Sequence, residues 1–216
     1  HYPQFFSRHD LKIRNFTFEN TAKYITYIQA STHFIKKDLL RHFKKLNENQ
    51  IFVVNEGVDK KKFTQNVELS FLDKYELPDK FIFYPAQLWK HKNHITILKA
   101  INILAAKGRL VNLVLTGEEF SYNRTVTEFI SNNKMKNVYY LGKVEFDILK
   151  AIYAKSFYVI SAALYESSSL TIYEAAAFGK PILASEIPCH IEQSRGFDIK
   201  FFEAENCSKL AKLIEY

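Results

Sequence analysis

The sequence predicts a doubly wound α/β fold built on a parallel sheet. Two observations carry that expectation. Short β-branched and aromatic runs such as Lys80 to Tyr84, Val111 to Thr116 and Phe157 to Ala162 are apolar almost throughout rather than alternating. Strands of that kind are buried on both faces, which parallel sheets require. Helical patterns separate these runs, and the alternation calls for helices packed on both sides of one sheet.

Taken in order, Ile25 to Ala30 reads as a strand, and Ser31 is placed to cap a helix with Phe34, Leu39, Phe43 and Leu46 on one side. Ile51 to Val54 is a buried strand followed by a turn at Glu56-Gly57, and the lysine-rich stretch from Asp59 to Phe63 suits an exposed linker. Lys80 to Tyr84 is a strand, and Ile95, Leu98, Ile101 and Ala105 mark an amphipathic helix. Val111 to Thr116 ends at Gly117, with Val126, Phe129 and Ile130 in the following helix. Asn137 to Leu141 ends at Gly142 and precedes a helix from Glu145 to Ala154. After Phe157 to Ala162 comes a helix from Ser168 to Phe178, stopped by Gly179 and Pro181. Ile182 to Ala184 and Ile199 to Phe202 are the last strands, and Ser208 to Ile214 is a terminal helix.

Composition fits a folded domain: 47% of the 216 residues are hydrophobic and 25% charged, which excludes a disordered chain. No apolar run approaches the ~20 residues of a membrane-spanning helix. A net charge of +7 favours anionic partners: nucleotides, phosphorylated lipids or an acidic membrane surface. The basic residues are scattered rather than interleaved with aromatics, so no nucleic-acid partner is expected. Cys189 and Cys207 supply no disulfide framework, which suits a reducing, cytoplasmic setting. A chain that opens on His1 with no charged-then-apolar leader reads as a piece of a longer polypeptide.

Doubly wound sheets bind ligands beyond the carboxyl ends of their strands. Two such loops carry suitable chemistry. In Pro85 to His94, Lys92 can meet a phosphate as a point charge and Gln87 can donate a neutral hydrogen bond. His91 and His94 would need a third ligand to hold a metal, and none is near in sequence, so no metal site is expected. The second loop runs from Glu166 through Ser167, Ser168 and Ser169 into Leu170, Thr171 and Glu174. A helix start exposes N–H groups and a positive dipole end, and small residues let a diphosphate approach. Glu166 and Glu174 can border one cleft, or be two surface carboxylates beside an ordinary serine cap. There is no Gly-x-Gly-x-x-Gly fingerprint, phosphate-binding Gly-x-x-x-x-Gly-Lys loop, Gly-x-Ser-x-Gly elbow or Asp-x-Asp pair. Dinucleotide oxidoreductases, P-loop nucleotidases and α/β-hydrolases are thereby disfavoured.

These residues together resemble the retaining glycosyltransferases of the two-Rossmann-domain (GT-B) fold, family 4. The resemblance is carried by Val53 to Asp59 with Phe63, by Phe81 to His94, by Val111 to Gly117, by Asn137 to Val144, by Glu166 and Glu174 with seven residues between them, and by Ala175 to Ser185. It implies that residues 1–56 are a remnant of the amino-terminal acceptor domain plus the interdomain segment, and that residues 57–216 form the carboxy-terminal nucleotide-sugar-binding domain. It implies no cofactor, a GDP- or UDP-linked sugar as donor, and a glycan or lipid-linked acceptor, with mannosyl transfer in surface-glycan synthesis as one form. Glu166 would be catalytic, near the donor sugar. Lys92 and the backbone of Ser168, Ser169, Leu170 and Thr171 would hold the diphosphate, and Glu174 the ribose. Gly142, Lys143 and Val144 would frame the base. The family commonly has Arg where Gln87 stands, and Gly-Phe-Gly where Ser167-Ser168-Ser169 stands. A cytoplasmic enzyme, working at the inner membrane face and inactive as this piece alone, is the implied whole. The rivals are a non-catalytic nucleotide- or glycan-binding module and another GT-B enzyme such as a sugar-nucleotide epimerase.

Overall fold

A computed structural model describes residues 2–215 and contains two parallel sheets. The smaller pairs β1 (Ile28–Ala30) with β2 (Ile51–Val53). The larger has six strands: β3 (Ile82–Pro85), β4 (Leu113–Thr116), β5 (Val138–Tyr140), β6 (Tyr158–Ser161), β7 (Ile182–Ser185) and β8 (Ile199–Phe202). Their spatial order is β5-β4-β3-β6-β7-β8, all parallel. Numbered within the sheet this is 3-2-1-4-5-6, the Rossmann order, whose winding reverses between β3 and β6. The predicted fold class is therefore the observed one.

Strands β4 and β7 are buried at every position, and β3 and β6 at all but one each. One core lies between the sheet and helices α4 (His94–Ala106) and α9 (Cys207–Glu215), around Leu98, Ile101, Leu113 and Leu210. The other lies under α6 (Phe146–Lys155) and α7 (Leu170–Ala177), around Phe83, Ile152, Tyr153 and Ile172. Each face of the sheet thus buries its own helix pair, as unbroken apolar strands demand.

The structure corrects the sequence reading in several places. Helix α1 (Arg8–Thr21) was not anticipated, because its apolar residues form no stripe; it starts with a reciprocal cap between Ser7 and Asp10 and buries no residue. Asp59 to Phe63 is not simply an exposed linker. Asp59 caps a short helix, α3 (Lys60–Thr64), by accepting from the Lys62 N–H at 3.0 Å. The lysines do face water, but Phe63 is buried edge-on against Phe146, Tyr153 and Phe178 at 5.3–5.9 Å. The cap of α2 (His33–His42) is Thr32 rather than Ser31. A six-residue helix, α8 (Pro188–Gln193), too short to show a period, was missed altogether.

Helix α8 ties the two sheets together. Both oxygens of Glu192 accept from the start of α2, from His33 N–H at 2.6 Å and Phe34 N–H at 2.9 Å. Thr32 takes the Ile35 N–H at 3.2 Å, so three N–H groups that α2 cannot satisfy internally are covered. Glu192→Ala should strip two of these acceptors and a favourably placed anion from the helix start, costing about 1–2 kcal/mol. Thermal denaturation should show a melting point lower by a few degrees; an unchanged one would mean water replaces the carboxylate without loss.

Candidate functional site

Lys92 lies on the loop that leaves β3, and three contacts fix it there. The buried Tyr84 hydroxyl donates to the Lys92 carbonyl at 2.6 Å. Asn93 adopts φ +59° and its amide donates to the carbonyls of Ala162 (3.1 Å) and Ala204 (2.5 Å), just past β6 and β8. The Leu164 N–H donates to the His91 carbonyl at 2.7 Å. The loop after β3 is therefore pinned to the loop after β6, at the point where the winding reverses.

Glu166 lies on that second loop, beyond the buried Ala162, Ala163 and Leu164. Its carboxylate forms an ion pair with Lys92, and the two side chains are only 13% and 24% exposed. Burial pushes the Glu166 carboxyl above its ordinary value, and Lys92 pulls it back part of the way. His91 is shifted down to about 4 and His94 to about 3, by burial first. Both rings are neutral at pH 7, so the positive charge on this loop comes from its lysines.

The serine run leads into α7. The Ser31 and Thr32 hydroxyls donate to the Ser167 carbonyl at 2.9 and 3.1 Å, holding the turn against the smaller sheet. Ser169 is buried, and its N–H already donates to Gln193 Oε1 at 2.8 Å. The N–H groups of Leu170 and Thr171 belong to the first helical turn, which leaves them no carbonyl within the helix. Thr171 Oγ1 reaches the Pro85 carbonyl at 3.5 Å, bringing the start of α7 beside the exit of β3. Glu174 is half-buried one turn further on and accepts a 2.6 Å hydrogen bond from the Tyr153 hydroxyl. Burial raises its carboxyl, and that hydrogen bond opposes the rise.

The remaining candidate residues are placed more loosely. Gln87 is exposed and accepts from the Trp89 indole at 3.0 Å. Gly142 accepts from the Gly117 N–H at 2.9 Å at the exits of β4 and β5. Lys143 is exposed and paired with Glu118, and Val144 is half-buried beside it. The structure thus joins Lys92 to Glu166 directly, while Gln87 and Lys143 are each engaged elsewhere. His94 is buried with Nε2 3.2 Å from the Ala86 carbonyl, so it does not face outward with His91. Among the described residues no three His, Cys, Asp or Glu side chains converge as metal ligands. Sequence reasoning missed Tyr84, Asn93, Tyr153 and Gln193, the groups that hold the candidates in place.

A cavity of about 990 Å³ opens beside the ion pair, with Trp89, Tyr165, Glu166 and Ser167 on one wall and Arg14 and Phe43 on the other. A second, of about 1050 Å³, lies between α2 and α8 and includes none of the predicted site residues.

A parallel sheet in Rossmann order, with Lys92 and Glu166 paired beside its switch point, defines the doubly wound α/β class. Residues 68–216 match the family model "Glycosyl transferases group 1", and the chain belongs to that family. It is 22% identical over 174 residues to the O-antigen chain mannosyltransferase RfbU of Salmonella typhimurium, covering 80% of this chain and 46% of that protein. A glycosyltransferase from Rickettsia africae superposes with a TM-score of 0.79 at 25% identity, over 91% of this chain and 56% of its own. HepE from Anabaena, solved in complex with UDP and glucose, superposes with a TM-score of 0.81 at 17% identity, over 99% and 58%. The chain therefore spans about half the length of the relatives it matches.

Proposed function

We propose that the full polypeptide is a retaining, metal-independent glycosyltransferase that moves a sugar from a UDP- or GDP-linked donor to a glycan or lipid-linked acceptor. The juxtaposition of Lys92 and Glu166 at the β3/β6 switch point carries this reading. The donor diphosphate would take Lys92 and the free N–H groups of Leu170 and Thr171, with Gln87 at its edge. Glu166 would then face the sugar, Glu174 the ribose, and Gly142, Lys143 and Val144 the base. No Asp-x-Asp pair is present to hold a divalent ion, so leaving-group charge would fall on Lys92 and the start of α7. HepE's complex with UDP and glucose supports a nucleotide-sugar donor, and the resemblance to RfbU supports mannosyl transfer. Residues 1–56 would belong to the acceptor-side domain and 57–216 to the donor-side domain, and this piece alone would transfer little. Among the described residues no helix is long and apolar enough to cross a membrane, and the +7 charge suits peripheral contact with an anionic surface.

A thermal-shift panel of nucleosides, nucleoside diphosphates and nucleotide sugars on the full-length protein tests the reading, with chelator in a parallel arm. One base should raise the melting point as the diphosphate and as its sugar conjugate, equally with and without chelator. A strict need for manganese or magnesium would contradict the mechanism. Donor binding with no transfer to any glycan would favour a non-catalytic module.

A further inference from the structure

The loop that carries Glu166 is tied to two parts of the molecule in alternation. Leu164 is held from the larger sheet, its N–H donating to the His91 carbonyl at 2.7 Å. Tyr165 meets the Phe34 ring of α2 edge-on, with centroids 6.0 Å apart. Glu166 turns back to Lys92. Ser167 returns to the start of α2, its carbonyl accepting from the Ser31 hydroxyl at 2.9 Å and the Thr32 hydroxyl at 3.1 Å. Both chain neighbours of Glu166 are therefore fixed by the segment that joins β1 to α2, while the carboxylate itself is fixed by the larger sheet's loop.

The hydrogen bonds at Ser167 have one possible direction. A carbonyl only accepts and has two lone pairs, so both hydroxyls are donors. Thr32 is fully buried, and its oxygen also takes the Ile35 N–H at 3.2 Å, so its donor and its acceptor capacity are both in use. Glu192 holds the next two N–H groups, those of His33 and Phe34, which keeps the start of α2 from sliding away from Ser167. We propose that Ser31 and Thr32 are positioning residues for Glu166, so that docking of the smaller sheet sets the carboxylate that faces the donor sugar; this rests on the glycosyltransferase reading above. Nucleotide binding is not subject to that condition. Lys92, Thr171 and Glu174 contact Tyr84, Pro85 and Tyr153, all of which belong to the larger sheet and its helices.

The test uses the full-length protein, a panel of UDP- and GDP-linked hexoses with water as acceptor, and calorimetric titration of UDP and GDP. For the hexose that wild type turns over, the Ser31→Ala/Thr32→Val variant should release nucleoside diphosphate about tenfold more slowly. Its KM and its nucleoside-diphosphate affinity should stay within about twofold. Thr32→Ser alone keeps the hydroxyl and should stay within about twofold of wild type in every readout. Placed in Glu166→Gln, the double substitution should cost less than about twofold more, because it acts through that carboxylate. Unchanged turnover in the double variant, or the full tenfold loss in the Glu166→Gln background, would overturn the proposal. Equal losses of turnover and nucleoside-diphosphate affinity would also overturn it, by making the two hydroxyls merely structural. If the double variant fails to fold, Ser31→Ala, which leaves the Thr32 cap intact, is read in the same cycle, with a loss of about threefold expected. A slow Glu166→Gln beside a fully active double variant would defeat the proposal and spare the glycosyltransferase reading. Wild-type protein that turns over none of the panel would sink both.

Discussion

Lys92→Ala in the full-length protein should weaken nucleoside-diphosphate binding by roughly ten- to hundredfold while leaving the nucleoside nearly unaffected. A charge-assisted contact to phosphate, the contact proposed for Lys92, is worth ~1.5–3 kcal/mol. Its backbone is held by Tyr84 and its neighbour Asn93, so little ordering is left to be lost on binding. Lys92 is paired with Glu166, and on the proposed reading a diphosphate would share or displace that partner. Glu166→Gln removes the competing anion and should therefore not weaken the bare nucleoside diphosphate. Its cost should appear in turnover once a sugar is attached. Titration of wild type, Lys92→Ala and Glu166→Gln with nucleoside and nucleoside diphosphate reads the binding effects, and a turnover assay reads the rest. Equal losses for diphosphate and nucleoside in Lys92→Ala would make the lysine a structural residue.

The same variant has a pH signature. In the folded protein Glu166 is raised by burial and lowered by Lys92, burial being the larger effect. Loss of Lys92 leaves burial unopposed and raises the folded-state value further. A carboxyl raised on folding binds its proton more tightly in the folded state, so its stability contribution is present at low pH and lost as pH rises through the folded value. The stability deficit of Lys92→Ala should thus be small near pH ~4–5 and largest at about pH 8. Melting curves across that range check the sign, and a deficit growing toward acid would contradict it.

Why some of this was legible in the sequence and some not has a physical basis. Strands β3, β4, β6 and β7 announced themselves because burial on both faces leaves no room for polar alternation, and the switch-point rule then directed attention to Lys92 and Glu166. The supporting residues gave no such signal. Tyr153 meets Glu174 across 21 positions and Gln193 meets Ser168 across 25, and a contact that distant leaves no local pattern. Helix α1 lacks an apolar stripe, α8 has too few residues for a period, and the three lysines before Phe63 concealed the one side chain that anchors α3. Residues flagged from sequence are those whose chemistry is unusual where they stand. Their positioning partners are ordinary residue types made significant by the fold.

Gly117→Ala should cost on the order of 3 kcal/mol of stability, from backbone strain and overpacking together. The sequence marks this glycine only as the end of a strand, but the structure gives it a stricter role. Its φ is +144°, and an added Cβ would lie 2.4 Å from the Ala86 carbonyl oxygen, 2.6 Å from its carbon and 2.8 Å from the Gln87 nitrogen. All three are main-chain atoms, so no side chain can rotate aside to make room. Nor can Gly117 itself retreat: its N–H donates to the Gly142 carbonyl at 2.9 Å, and its carbonyl accepts from the Tyr140 hydroxyl at 2.9 Å. The exits of β3, β4 and β5 are locked together here, and a methyl group must push one of them away. Whichever moves carries proposed ligand contacts with it, Gln87 and Lys92 on one loop or Gly142 and Lys143 on the other, so nucleoside-diphosphate affinity should fall along with stability. Gly57→Ala is the matched control, since nothing lies within 4 Å of an added Cβ there and its φ is not in the strained range. It should stay within ~0.5 kcal/mol of wild type in chemical denaturation. Gly117→Ala measured within ~1 kcal/mol of that control would show that the strand exits can separate freely, and that this glycine is not what sets their spacing.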